Sequence, residues 1–181
     1  MRIRFMKTHP DAVAPIRAHD DDAGFDLVAV SVWRVDDLFI YDTGIALEIP
    51  RGYFGGVHAR SSIFLTGMEK CGGVTIVDSG YRGPVKVAMR RVIPNLQLRQ
   101  MRGEMASQFP GRLHMMTPYR AGDRIAQLIV QPCVVPVQSL AAWPGAGAAH
   151  PGCALESVEF VEAAALSETT RGAGGYGSTG R

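Results

Sequence analysis

The sequence predicts an all-β protein, a sandwich or barrel built from many short strands. Apolar residues alternate with other residues over positions 45–49 and 85–89, which is the period-two pattern of a strand with one buried face. Turns rich in glycine and proline recur along the chain, and no long helical period competes with this pattern. Short strands with frequent turns are typical of β-sandwiches and β-barrels.

Other short apolar runs predict the remaining strands, at residues 3–6, 38–41, 53–58, 74–77 and 125–130. Turn signals separate them at residues 49–52, 78–80 and 121–123. The segment 74–85 has the pattern strand, turn, strand, and therefore predicts a β-hairpin with Asp78 at its bend.

Two long stretches and the C-terminal residues interrupt this rhythm. Residues 90–120 are long for a connection in a compact domain and predict an inserted segment at about 91–118. Residues 141–154 are rich in Ala, Gly and Pro and predict a surface loop, and residues 171–181 predict a mobile tail. We expect a β-barrel domain over residues 1–165 and a mobile C-terminal arm over residues 166–181.

Composition excludes several classes of protein. The chain has 181 residues, enough for one domain, and its net charge of +2 is too small to indicate nucleic acid or membrane binding. Cys71, Cys133 and Cys153 are scattered, which argues against a disulfide framework or structural zinc and favours a reducing cytoplasm. The sequence shows neither a signal peptide nor a run of apolar residues that could span a membrane.

The C-terminal arm contains a glycine pattern that points to phosphate. Three of its glycines match the dinucleotide fingerprint GxGxxG, namely Gly172, Gly174 and Gly177. The surrounding residues do not predict the strand and helix that this fingerprint requires, so a Rossmann site is excluded. Phosphate binding remains, because backbone N–H groups of glycines, Arg171 and the hydroxyls of Ser178 and Thr179 can all bind anions. Tyr176 offers a face for base stacking. The alternative is a disordered tail.

Two further segments allow a structural and a functional interpretation. Arg60, Ser61 and Ser62 follow a predicted strand and either bind phosphate or form an ordinary turn. Asp78 either caps its turn or acts as a general base that deprotonates a water molecule.

Gln127 and Asp26 also allow a structural and a functional interpretation. Gln127 interrupts an apolar strand, so it either faces solvent or is buried with a polar partner, such as a phosphate or an ordered water. Asp26, two residues after Gly24 and near a predicted strand start, either forms a turn or holds magnesium or its water molecules.

These segments stand in a specific order. The segments DAGFDL, ARSS, VDSGYRG, GDRIAQL and RGAGGYGSTG, between residues 22 and 180, resemble the motifs of homotrimeric dUTPases. The resemblance implies a jelly-roll-like β-barrel, a homotrimer with shared active sites, and magnesium-dependent hydrolysis of dUTP to dUMP and pyrophosphate. Some phage-encoded relatives have an insertion like that at 91–118, so a phage origin is an interpretation of this segment.

The resemblance also implies roles for the catalytic and phosphate-binding residues. Asp78 would be the general base that activates water for attack on the α-phosphorus, assisted by Gln127. Arg60, Ser61 and Ser62 would bind the α- and β-phosphates. Asp26 would hold Mg²⁺ through its water shell.

The nucleoside and the γ-phosphate are assigned in the same way. Tyr81 would pack against the deoxyribose, and the segment 72–77 would read uracil through backbone groups. The base contacts implied by the resemblance are Gly72, Ile76, Val77 and, across the predicted hairpin, Lys86. Arg171, Gly177 and Ser178 would hold the γ-phosphate end, and Tyr176, where the family commonly has Phe, would stack on the base.

The sequence departs from the family pattern at one position, and two other functions compete with dUTP hydrolysis. Many relatives have an Asn where this chain has Gly72, so one side-chain contact to uracil is missing or replaced. A dCTP deaminase is excluded because Leu65 and Ala88 occupy the positions of its required Arg and Glu. The alternative function is a protein-binding regulator that uses the 91–118 insertion, with dUTP hydrolysis as a secondary or switching activity. The apolar residues of that insertion could equally pack it onto its own barrel.

Overall fold

The structure is a computed structural model that describes residues 1–92, 118–133 and 157–175. These residues form ten strands and one short 3-10 helix at Ser61–Thr66. The strands are β1 Arg2–Lys7, β2 Phe25–Val28, β3 Ser31–Val35, β4 Leu38–Glu48, β5 Tyr53–Ala59, β6 Met68–Lys70, β7 Thr75–Asp78, β8 Pro84–Arg91, β9 Arg124–Pro132 and β10 Glu159–Glu162. Every predicted apolar run overlaps a strand, but the runs at residues 38–41 and 45–49 belong to one strand, β4. The all-β class is confirmed.

The strands form two sheets. One sheet has the order β10-β1-β4-β8-β6, with β3 also paired to β4, and the other has the order β2-β9-β5-β7. Neighbouring strands are antiparallel except for β1 and β10, which run parallel. Strands that are distant in sequence therefore lie side by side, and β10 brings the C-terminal arm back to the start of the chain.

One hydrophobic core lies between the sheets. The first sheet contributes Ile3, Tyr41 and Met89, and the second contributes Val57 and Leu128, all of them fully buried. Successive residues of a strand point to opposite faces, so the strands that bury these side chains present their alternate residues outwards. Several polar side chains of the candidate site lie on the outward face of the four-stranded sheet.

The predicted hairpin around Asp78 is wrong. β7 pairs with β5 in the four-stranded sheet, whereas β8 pairs with β4 and β6 in the other sheet. Residues 79–83 therefore cross from one sheet to the other, and we call them the crossing segment. Both strands bury one face in the common core, at Val77 on β7 and Val87 on β8. The apolar pattern specifies that buried face, but it does not specify the hydrogen-bonding partner.

The ends of the predicted insertion lie on the barrel. β8 runs to Arg91, and the amide of Val92 donates to the Gly67 carbonyl. On the other side, the hydroxyl of the buried Tyr41 donates to the Tyr119 carbonyl over 3.2 Å. Residues 93–117, most of the predicted 91–118 insertion, lie outside the described residues, as does the predicted 141–154 loop. In the part of the chain that the structure describes, no helix has the length and apolar content to cross a membrane.

Candidate active site

A buried carboxylate organises one group of predicted site residues. Asp26 on β2 is only 2% exposed, and its Oδ1 accepts hydrogen bonds from Arg60 Nε at 3.0 Å and Gln127 Nε2 at 3.4 Å. Its Oδ2 accepts a bond from Arg124 Nη1 at 3.0 Å. A buried charge is costly unless it is paired, and here two guanidinium groups share it. We call Asp26, Arg60, Arg124 and Gln127 the Asp26 cluster.

The local structure explains why these side chains meet. Asp26 is directly opposite Gln127 in the pairing of β2 with β9, and Gln127 is opposite His58 near the end of β5. Arg60 comes immediately after β5 in extended conformation and precedes the 3-10 helix. A Cβ at Gly24 would lie 3.1 Å from Gln127 Cβ, so glycine leaves space for this glutamine.

The cluster answers one question that the sequence left open, the environment of Gln127. Gln127 is neither fully exposed nor unpaired, because its amide binds Asp26. Arg60 binds the same carboxylate, and Ser61 and Ser62 begin the helix beside it, with Ser61 exposed. Arg124 was not singled out from the sequence; a charged residue at the start of an apolar strand, three positions before Gln127, was the available signal.

Asp78 lies elsewhere in the barrel. It is the last residue of β7, its side chain is 47% exposed, and its carboxylate contacts the guanidinium of Arg171. Its backbone carbonyl accepts the amide of Tyr81 at 3.0 Å, which closes the turn into the crossing segment. Both interpretations of Asp78 are therefore compatible with this position, because its backbone shapes the turn while its carboxylate stays accessible.

The described part of the C-terminal arm packs against the crossing segment of the same chain. Thr169 Oγ1 donates to the Gly80 carbonyl at 2.6 Å, and the amide of Arg82 donates to the Gly172 carbonyl at 2.8 Å. Arg82 Nε also donates to the Ser167 carbonyl at 3.0 Å. These contacts bring Arg171 to Asp78. Tyr176, Gly177 and Ser178 lie outside the described residues.

A small cavity of about 90 Å³ is lined by Val77, which precedes Asp78, and by Arg171, which contacts it. Its wall is formed by the strand before Asp78, the start of β8 and the arm, namely Thr75, Ile76, Val77, Tyr81, Pro84, Val85, Lys86, Arg171 and Gly175. The structure thus brings together Ile76, Val77, Tyr81 and Lys86, which the sequence assigned to the nucleoside. Arg171, which the sequence assigned to the γ-phosphate end, lies on the same wall. Gly72 lies apart from this wall, in the turn before β7, where its φ of 73° suits glycine.

Tyr81 has a fixed position on the cavity wall. Its hydroxyl donates to the Pro84 carbonyl at 3.0 Å, and the Arg171 guanidinium lies 5.7 Å from its ring centroid. A Cβ at Gly83 would lie only 2.5 Å from the Tyr81 hydroxyl, so the ring packs directly on the glycine backbone. Burial raises the pKa of the Tyr81 phenol, with the charge of Arg171 opposing the shift, so the ring presents a neutral face.

Lys86, on the opposite wall of the cavity, is held by neighbouring residues in the six-stranded sheet. Its ammonium lies 3.8 Å from an Asp42 carboxylate oxygen and 5.1 Å from the ring centroid of Trp33. Both contacts are weak at this exposure, but together they keep the lysine stem along the edge of the cavity.

The Asp26 cluster and Asp78 lie at opposite ends of one sheet. Along β5, Phe54 pairs with Asp78 while His58 pairs with Gln127. A strand rises about 3.3 Å per residue, so the two positions are about 13 Å apart along β5 alone. Reacting groups must approach to about 3–3.5 Å. One chain therefore does not bring the cluster and Asp78 to a common reacting atom.

The carboxylates of the site bear on how a metal ion could bind. Among the residues that the structure describes, no group of three or more His, Cys, Asp or Glu side chains could cage an ion. Both oxygens of Asp26 already bind cationic or amide donors. This donor set fits a magnesium ion only if phosphate oxygens and water supply its direct ligands, an arrangement that Mg²⁺ favours.

Comparison with known proteins identifies the family. A family model for dUTPase matches residues 11–92. The deoxyuridine 5'-triphosphate nucleotidohydrolase of Rhodococcus erythropolis is 32% identical over 183 residues, covering 99% of this chain and 87% of the relative. That of Nocardia farcinica is 33% identical over 181 residues, covering 98% and 85%. The chain belongs to the dUTPase family. The enzyme class predicted from the sequence, a dUTP diphosphatase, is thereby confirmed.

Solved structures of phage dUTPases share the fold. A mutant dUTPase from phage phi11 of S. aureus superimposes with a TM-score of 0.57 at 22% identity, covering 74% of this chain and 92% of that chain. A mutant dUTPase from Staphylococcus bacteriophage 80alpha gives a TM-score of 0.56 at 22% identity, covering 99% and 98%. The jelly-roll-like dUTPase fold is confirmed. The relatives of higher identity described above are bacterial.

Asp26→Asn should destabilise the protein more than the loss of an exposed ion pair. The change leaves two guanidinium groups without their shared counter-charge, and a hydrogen bond to a charged group contributes about 1.5–3 kcal/mol. The free energy of unfolding, measured in denaturant, should fall by about that amount. Glu159→Gln, which removes the exposed partner of Arg2, is the control and should cost less than about 1 kcal/mol. Equal losses would contradict a structural role for the cluster.

Gly83→Ala should impair substrate binding by displacing Tyr81. The new methyl group would overlap the phenol, whereas a Cβ at nearby Gly80 would come no closer than 3.9 Å to another side chain. We expect KM for dUTP to rise at least about tenfold in Gly83→Ala, the equivalent of roughly 1.4 kcal/mol. Gly80→Ala should stay within about threefold of wild type. Similar KM values for the two variants would show that the Tyr81 position is unimportant.

Proposed function

We propose that the chain hydrolyses dUTP to dUMP and pyrophosphate by water attack on the α-phosphorus, with Asp78 as general base. The observation that carries this proposal is the half-exposed carboxylate of Asp78 in contact with Arg171, which lines a small cavity together with the clamped ring of Tyr81. The carboxylate is accessible to water, and the contact with Arg171 orients it. A positioned base can then remove a proton from a water molecule.

The Asp26 cluster is the proposed phosphate site. Arg60 and Gln127 are held by one carboxylate, so their side chains are positioned before substrate arrives, and Ser61 and Ser62 add hydroxyl donors beside them. Arg60 would bind the α- and β-phosphates through guanidinium N–H groups that Asp26 does not use. Phosphoryl transfer depends mainly on positioning and on neutralising charge, which this arrangement provides.

The cavity beside Asp78 is the proposed nucleoside site. Its volume of about 90 Å³ suits a flat base better than a larger group. Ile76 points its side chain outwards, 49% exposed, which leaves its backbone to the cavity and agrees with base recognition through peptide groups. The rigid Tyr81 ring would pack on the deoxyribose and obstruct a 2′-hydroxyl. Gly72 stands apart from this wall, so its proposed contact with uracil would have to come from the turn backbone.

Magnesium would accompany the triphosphate and neutralise part of its charge. Asp26 is the proposed anchor for the water shell of the ion, a role that it would share with its two arginines. The mutant dUTPase of phage phi11 coordinates a structural Mg(II) ion.

A complete site would need two copies of the chain, which supports a homotrimer with shared active sites. One copy would contribute Asp78, Tyr81 and Arg171, and a second the Asp26 cluster. The outer surface carries a groove of about 490 Å³ lined mainly by apolar residues, and Phe64, Val74 and Val92 around it are 56%, 44% and 48% exposed. Exposed apolar patches of this kind are typical of protein interfaces. In the C-terminal arm, Gly177 and Ser178 would complete the γ-phosphate site and Tyr176 would stack on uracil.

Hydrolysis is better supported than the alternative role as a protein-binding regulator. The relatives of high coverage are enzymes, whereas the insertion proposed to bind a partner lies mostly outside the described residues. A protein partner at residues 91–118 remains a separate proposal. We also propose a cytoplasmic location, in keeping with the three scattered cysteines of the sequence.

Asp78→Asn should lower kcat for dUTP by about 10²–10⁴, the usual contribution of a general base, while dUTP binding stays measurable. Asparagine keeps the size of the side chain but cannot accept the proton. Pyrophosphate release measures turnover, and calorimetric titration measures binding. Asp37→Asn, in the exposed turn between β3 and β4, is the control and should keep wild-type turnover. Retention of more than about a tenth of turnover in Asp78→Asn would exclude it as the base.

Mixed oligomers test whether the site is shared. Asp78→Asn and Arg60→Gln should each be nearly inactive, with glutamine retaining an amide donor for Asp26. When the two variants are unfolded together and refolded, about a quarter of the sites would combine an intact Asp78 with an intact Arg60 from another chain. Turnover should recover to about that fraction of wild type. Activity no higher than that of the separately refolded variants would place both residues in one chain's site.

A further inference from the structure

A buried lysine lies behind the wall of the nucleoside cavity. Lys70, on β6 of the six-stranded sheet, is 9% exposed, and its ammonium reaches across to the start of β7 in the other sheet. Nζ donates to the Gly73 carbonyl and to Thr75 Oγ1, both at 2.6 Å, and to the Cys71 carbonyl at 3.5 Å. Among the described residues, no carboxylate pairs with it.

The acceptors around the Lys70 side chain fit its charged form. Burial lowers the pKa of Lys70, yet the acceptors around Nζ are two carbonyl oxygens and one hydroxyl oxygen. An ammonium has three N–H donors and no acceptor, so this environment matches the charged form. A carbonyl cannot donate in return. The charged lysine therefore acts only as a donor toward Thr75.

This contact determines what the Thr75 hydroxyl can do. Because Oγ1 accepts the hydrogen bond from Lys70, the hydroxyl hydrogen must point away from the ammonium. Within the described residues, no group accepts that hydrogen, and Thr75 belongs to the wall of the cavity. The hydroxyl is thus left as a hydrogen-bond donor for a molecule that enters the cavity.

We propose that Thr75 is a specificity-determining residue that donates a hydrogen bond to the 4-carbonyl oxygen of uracil, and that Lys70 is the positioning residue that fixes it as a donor. This inference rests on the proposed function of the site. Uracil has an acceptor at position 4, whereas cytosine has an amino group, which is a donor. Two donors facing each other cannot bond, so cytosine is rejected. Thr75 would replace the side-chain contact that Gly72 lacks.

The structural alternative is that Lys70 and Thr75 only join the two sheets at the turn. In that case the pair would affect stability, and its loss would weaken the binding of uracil and cytosine nucleotides equally. A purely structural role would therefore leave the ratio of uracil to cytosine nucleotide affinity unchanged.

The experiment uses the full chain with Thr75→Val, which keeps the shape and removes the hydroxyl, and with Thr75→Ser as the matched control. Calorimetric titration gives the affinities for dUMP and dCMP, and pyrophosphate release gives kcat/KM for dUTP and dCTP. We expect Thr75→Val to lower the uracil-to-cytosine ratio by about tenfold or more, the effect of an unmade hydrogen bond in a buried site. Thr75→Ser should keep the ratio within about threefold.

Lys70→Met tests the positioning role, with thermal melting as the check on folding. In a folded Lys70→Met variant the hydroxyl can rotate, so the uracil-to-cytosine ratio should fall while kcat for dUTP changes little. An unchanged ratio in Thr75→Val would overturn the proposal, whether or not Lys70→Met folds. A different result would refute the proposed function and leave this inference standing. In that case the wild-type protein would discriminate dUMP from dCMP through Thr75 but would release no pyrophosphate from dUTP.

Discussion

The burial of one carboxylate, Asp26, is the constraint on which the proposed phosphate site depends. A carboxylate that is 2% exposed cannot remain charged without partners, and Arg60 and Arg124 supply them from two different positions in the chain. The same bonds hold the end of β5 against the start of β9 and orient Gln127. The proposed phosphate site would therefore be ordered before substrate binds, which would lower the ordering cost of binding.

The register of β5 imposes the second constraint. Strand β5 carries the residue paired with Asp78 near one end and the residue paired with Gln127 near the other. A paired strand cannot shorten the distance between these two positions. A barrel of this kind therefore presents two half-sites on one face. Association of copies is a direct way to join such half-sites, and the apolar groove and the exposed Phe64 offer a surface for it.

Much of the fold could be predicted from the sequence because alternation reports which face of a strand is buried. The runs at residues 3–6, 45–49 and 125–130 lie in strands β1, β4 and β9 for this reason. The hairpin at Asp78 was predicted wrongly because alternation gives no information on the partner strand. β7 and β8 each bury a face in the same core but pair in different sheets. Arg124 and Lys70 were missed because their partners are distant in sequence or in the opposite sheet.

By itself, the sequence determined the all-β class and the family, since each depends on local pattern or on motif order. It also singled out Ile76, Val77, Tyr81 and Lys86 among the residues around the cavity. Only the tertiary structure decided that Asp26 is buried between two arginines, that Asp78 contacts Arg171, and that Lys70 reaches Thr75. Such contacts depend on strand order and register, which follow from the packing of the whole core. The chemical types of the site residues are therefore local information, whereas their charge partners and hydrogen-bond directions come from the assembled barrel.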